Sequence, residues 1–150
     1  MTHLALADAM LTALAAAQGL APLAIDLNST HATNPQWVGH ARFHVVWQVL
    51  SLAFCAVLAV ALIWWPGPYP EHRFYCAACL TAIPLAAFLG ALASARIYGG
   101  ALRDPNGIPP IRVCLSGRVL MLDGNTLAVA AGSIVLAAAV VTYRWGASSR

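Results

Sequence analysis

His40 and His44 stand four residues apart in the run His40-Ala41-Arg42-Phe43-His44. On a helix that spacing brings two imidazoles to one point. Neutral imidazole is a ligand for zinc, iron and copper, and it is also the side chain most often used as a general acid or base. A third imidazole, His31, and two acids, Asp26 and Asp123, are candidates to join them. The pair therefore reads three ways: a transition-metal site at His40 and His44, a metal-free acid/base or binding site, or interfacial histidines bonded to Asp or Asn. The surrounding stretch from Asp26 to Ser51 also carries Asn28, Asn34, Arg42 and Gln48, in a chain only 9% charged.

The acids have their own alternatives. An ionisable group inside a bilayer costs about 2.5–3.5 kcal/mol on insertion scales and tends to face a partner. Asp26 and Asp123 are thus candidates for proton transfer with His40 or His44. Asp123 also reads as a cap at the start of a helix, where the dipole favours an anion. Asp26 ends a helix, where the dipole disfavours one. Asn34, Trp47, Gln48, Arg96 and Asn125 are candidate substrate-binding residues. For Arg96 and Arg42 the alternative is snorkelling to lipid phosphates, and for Trp37 and Trp47 it is an interfacial belt. Cys76-Ala77-Ala78-Cys79 has a CxxC spacing, but Cys114 is expected on the opposite face and Cys55 in mid-membrane, so no thiol relay is evident.

The elements that must position these residues are set by lipid. The 150 residues are 61% apolar with a mean hydropathy of +0.74, and all eight basic residues are arginines against five acids. A soluble domain carries about 25% charge, and a hydrocarbon core of about 30 Å needs about 20 helical residues. Apolar runs of that length fall at about 4–25, 40–65, 74–98 and 118–143. The expected fold is all-α, one integral membrane domain of four spans. The small net charge of +3 gives nucleic acid no support. The N-terminal run lacks a basic region and carries Asp8, so it reads as a retained first span rather than a cleaved signal. Trp64, Trp65, Tyr143 and Trp145 are expected at interfacial belts, and Gly90, Ala91, Ala93 and Ser94 as a packing face on span three.

Four spans put both termini on one side and the segments 26–39 and 99–117 on the other. Asp26, His31, His40, His44, Gln48, Arg96, Asp123 and Asn125 then converge on one face, as the lining of a polar interfacial pocket. Arg42, Arg96, Arg103, Arg112 and Arg118 fall on that face and Arg73, Arg144 and Arg150 on the other, which by the positive-inside rule turns the polar face to the cytoplasm.

The run from His31 to His44, HATNPQWVGHARFH, resembles the H-x-x-N-P-x-W-x-x-H-A-[KR]-F-H pattern of an uncharacterised family of small four-span membrane proteins, preceded there by Asp-x-Asn as at Asp26-Leu27-Asn28. The resemblance implies that His31, Asn34, His40 and His44 act as a unit, and it implies no activity. The residues themselves lead to an expected enzyme acting by proton transfer on a lipid-soluble substrate (isoprenoid, sterol-like or quinone), an isomerase, cyclase or other acid/base catalyst. The alternative is a metal- or haem-binding or structural subunit of a membrane complex, and a homo-oligomer stays open.

Overall fold

The computed structural model describes residues 2–115 and 117–149. Four helices account for most of it: α1 (His3–Ile25), α2 (Gly39–Trp64), α3 (Pro70–Tyr98) and α4 (Gly124–Ser148). Each is long and apolar enough to cross a bilayer. The chain is an integral membrane four-helix bundle. Helix is the form in which each span satisfies its own backbone groups where no water is available. Both termini lie on one side, because Gly146 near the end of α4 packs against His3 and Leu4 at the start of α1.

Between α3 and α4 the chain forms a two-stranded antiparallel hairpin, β1 (Ile111–Leu115) and β2 (Arg118–Leu122), with Leu115 paired to Arg118. The apolar pattern of 118–122 reads in sequence as the first turn and a half of the fourth span. In the structure these residues are strand, and the helix starts six residues later than that reading. Gly117 decides this: at φ +78 it supplies the left-handed backbone that closes a two-residue connection. At the other end of the chain's third span, Pro70 occupies the first helical turn, so Glu71, His72 and Arg73 belong to α3 rather than to a loop.

The buried core lies toward the end that carries the termini. Ala7, Leu11 and Ala15 of α1, Ala59 of α2, Phe74, Ala77 and Ala78 of α3, and Ala139 and Tyr143 of α4 form one cluster. Tyr143 is not a belt residue: it stacks on Phe74 with ring centroids 3.8 Å apart, whereas Trp145, two residues on, is exposed. Small residues let the helices approach, but not those expected. The Gly90–Ser94 face of α3 is uncovered within the chain. The close contacts run through Gly19 against Ala56 and through Gly132 between Leu14 and Leu85.

Packing fades toward the other end. Among the described residues none in 39–48, 86–98 or 124–131 is buried, so the beginnings of α2 and α4 and the last turns of α3 stand open. Gln18 links α1 to α3 midway, donating through Nε2 to the carbonyl of Thr81 at 3.1 Å, just before Pro84. A proline leaves one carbonyl of its own helix without a donor, and α3 nonetheless runs through it unbroken.

A methyl group on Gly19 would lie 2.6 Å from Ala56 Cβ, whereas Gly90 has nothing within 4 Å. Gly19→Val should therefore cost about 1–3 kcal/mol, the usual range for overpacking. Gly90→Val should stay within about 0.5 kcal/mol. Reversible unfolding in mixed micelles measures both.

Candidate functional site

The polar face is built from the segment that follows α1. A helix end leaves its last carbonyls without donors, and here side chains supply them. Asn28 Nδ2 donates to the carbonyls of Ile25 at 2.9 Å and Ala24 at 3.3 Å, and Thr30 Oγ1 also reaches Ile25 O at 3.2 Å. The Asn28 side-chain oxygen Oδ1 accepts in turn from the Thr30 amide at 2.8 Å. Residues 28–30 thus work as a C-terminal cap that turns the chain back across the end of α1.

That turn places His31 against Asp26. His31 Nδ1 lies 3.5 Å from Asp26 Oδ1 and 2.8 Å from Thr30 Oγ1. The Thr30 hydroxyl has acceptors for its own proton in Asn28 Oδ1 at 2.7 Å and Ile25 O. Its contact with His31 Nδ1 serves either tautomer of the ring, the nitrogen donating in one and accepting in the other. Among the described residues Nε2 has no hydrogen-bond partner. Asp26 sits half-buried at the C-cap of α1. Desolvation raises its carboxyl above the ordinary value, and the charge of His31 pulls it the other way.

Asn34 is the anchor of the segment, at 0% exposure. Its amide nitrogen donates to Thr30 O at 3.1 Å and to Asp104 Oδ1 at 3.4 Å. Its carbonyl oxygen accepts from the Gln36 amide at 3.0 Å and from Asn106 Nδ2 at 3.3 Å. Trp37 donates from Nε1 to Asp104 Oδ2 at 2.9 Å and meets His31 edge to face. Asp104 therefore joins the connection after α1 to the connection after α3. The Trp37 hydrogen bond, then the Asn106 amide and Asn34, hold its carboxyl below the ordinary value. Sequence reasoning placed Asp104 on this face but gave it no role. An Asp-Pro-Asn-Gly turn reads as a surface loop, and only its meeting with Trp37, 67 residues away, gives it another use.

His40 and His44 do meet, with Nε2 atoms 3.1 Å apart and rings edge to face. Both are exposed on the first two turns of α2, and Trp47, 59% exposed, stacks on His44. They pair with each other rather than with an acid. Two imidazole nitrogens this close suit one metal ion, since ligands at about 2.0–2.1 Å in tetrahedral array stand slightly over 3 Å apart. Among the described residues no group of three or more His, Cys, Asp and Glu completes such a site.

The remaining candidates are placed apart. Asp123 is the N-cap of α4, accepting from the Thr126 amide at 3.0 Å. Arg96 is exposed in the last turn of α3, where a cation suits the helix dipole. Gln48 and Asn125 are exposed. The polar residues bond to one another rather than lining a hollow, and a groove of about 770 Å³ lies at the opposite end of the bundle, between α2 and α3.

Because the Asp104 carboxyl is held low, its staple adds stability above the unfolded aspartate value of about 3.9 and loses it as pH falls through the folded value. Trp37 fluorescence, read with the other tryptophans replaced by Phe, should show an acid transition. Asp104→Asn should abolish that transition.

No protein-family model, no curated protein and no solved structure matches this chain.

Proposed function

We propose that this protein is a membrane enzyme that moves a proton on a lipid-soluble substrate at its loop face. The observation that carries the reading is the His31 ring, with Nδ1 3.5 Å from Asp26 Oδ1 and 2.8 Å from Thr30 Oγ1 and with Nε2 in no hydrogen bond among the described residues. An imidazole so oriented can take a proton at Nε2, and the neighbouring carboxylate steadies the cation that forms. His31 is the base in this reading and Asp26 its partner. His40 and His44 form a second proton carrier at the mouth, and the exposed Trp47 beside them faces the side from which an isoprenoid, sterol-like or quinone molecule would approach. The open packing of α2, α3 and α4 at this end supports entry from the bilayer. Arg96, Gln48 and Asn125 border the same end as groups for the polar part of a substrate. The resemblance over His31–His44 fits a shared site but adds no chemistry.

The test begins with mass spectrometry of lipids that co-purify with the protein, followed by turnover of the molecule found. His31→Gln should lower kcat by about 10²–10⁴-fold, the usual contribution of a positioned acid or base. Asp26→Asn should fold at least as well as wild type, since it removes a partly desolvated charge, yet turn over slowly. Full turnover in both variants removes the proposal.

The second reading is a metal or haem subunit at His40 and His44, favoured by the 3.1 Å approach of their Nε2 atoms. Elemental analysis of protein purified without chelator separates the two. Stoichiometric metal lost in His44→Ala supports a metal site, and metal-free active protein excludes it.

From the arginine distribution we further propose that the polar face lies on the cytoplasmic side. In a cysteine-free background, His31→Cys should react with an impermeant thiol reagent only after cells are opened, and Ser148→Cys in intact cells.

A further inference from the structure

The groove at the end away from the loop face has no part in the proton-transfer reading. There α2 ends at Trp64 and the chain turns through Trp65-Pro66-Gly67-Pro68. Tyr69 precedes α3 in the left-handed region at φ 58. A groove of about 770 Å³ runs between the two helices, with Leu58, Leu62 and Cys76 at depth and Trp65, Tyr69 and Arg73 at its head. From Trp65 back to Leu58 is about 10 Å at the helical rise of about 1.5 Å per residue. The groove thus descends about two turns from a belt of aromatic residues, which marks headgroup depth, toward the hydrocarbon. Its volume is that of a site for a small amphiphile.

Arg73 is fixed at the head of this groove. Its Nη2 donates to the carbonyl of Trp65, just beyond α2, and at 3.4 Å to that of Ala61 in the last turn of α2. No carboxylate among the described residues comes within ion-pair distance of it, Glu71 of the same helical turn included. Nη1 and Nε make no hydrogen bond among the described residues. The side chain is therefore tethered to neutral carbonyls, has no carboxylate partner among the described residues and offers unused donors. A guanidinium suits phosphate, which it can grip with two parallel hydrogen bonds.

We infer that this groove binds one anionic phospholipid, an acyl chain lying against Leu58 and Leu62 and the phosphate on Arg73. Phosphate at belt depth is where a leaflet presents it, so the lipid need not leave the bilayer plane to fill the site. His72, exposed beside the groove, adds a donor at the same level.

Native mass spectrometry tests the inference, using full-length protein equilibrated in mild detergent with equal phosphatidylglycerol, phosphatidylcholine and palmitate. The expected result is one retained phosphatidylglycerol in preference to the others. Arg73→Gln should reduce that retention about tenfold, as loss of a charged hydrogen bond does. Leu58→Trp, which fills the groove without altering charge, should reduce it comparably with the helical circular dichroism unchanged. Arg118→Gln, on the far hairpin, should not. Equal retention of phosphatidylcholine, preference for palmitate, or undiminished retention in Leu58→Trp would each overturn the site. So would equal loss in Arg118→Gln, which would mark general charge attraction. Should Arg73→Gln unfold because it caps α2, the lipid preference and Leu58→Trp decide alone.

Discussion

The polar face depends on one carboxylate. Asp104 takes a hydrogen bond from the indole of Trp37 on one oxygen and from Asn34 and the Asn106 amide on the other. These bonds tie the connection after α1 to the connection after α3 across some 70 positions of sequence. Around them the bundle provides little support, since α2, α3 and α4 bury nothing at this end. Hydrogen bonds to a charged group are stronger than neutral ones, and near a bilayer there are few competing donors. Without Asp104, Asn34 would be a fully buried amide with one acceptor fewer, and His31 would lose the tryptophan edge that sets its plane.

The two ends of the molecule meet different demands. Between helices in lipid, association rests on close packing rather than on the hydrophobic effect. The terminal end satisfies that requirement with alanines, Gly146 against His3 and the Phe74–Tyr143 stack, which is worth about 0.5–1.5 kcal/mol beyond its area. The loop end carries the polar residues and forgoes close packing. A closely packed base lets a small bundle hold an open, polar rim without losing its fold.

Much of this was legible in the sequence because lipid imposes so strong a constraint. Runs of about 20 apolar residues fix the spans, the span count fixes the side of each loop, and the i, i+4 spacing fixes the meeting of His40 with His44. What the sequence concealed were choices set by partners distant in the chain. Apolar periodicity cannot tell residues 118–122 as strand from the same residues as helix; the glycine turn and the pairing with 111–115 do. Tyr143 has the composition of a belt residue and is buried only because Phe74 meets it. The sequence pairs Asp26 with His40 or His44, and it is the turn made by Asn28 and Thr30 that brings His31 to it instead.

The three acids of the loop face then divide by what their positions cost. Asp123 caps the start of α4, where the dipole and a free amide both favour a negative charge. Asp104 is held low by its donors and is committed to joining two loops. Both are accounted for by stability alone. Asp26 differs, because it stands at the C-terminal end of α1, beside carbonyls that repel an anion, and burial raises its carboxyl. Asparagine there would cap the helix with less strain. Local rules broken without a structural gain tend to fall at working sites. Of the acids on this face, Asp26 is therefore the one its helix end favours least, and what stands against that cost is His31, whose Nδ1 lies 3.5 Å from its Oδ1.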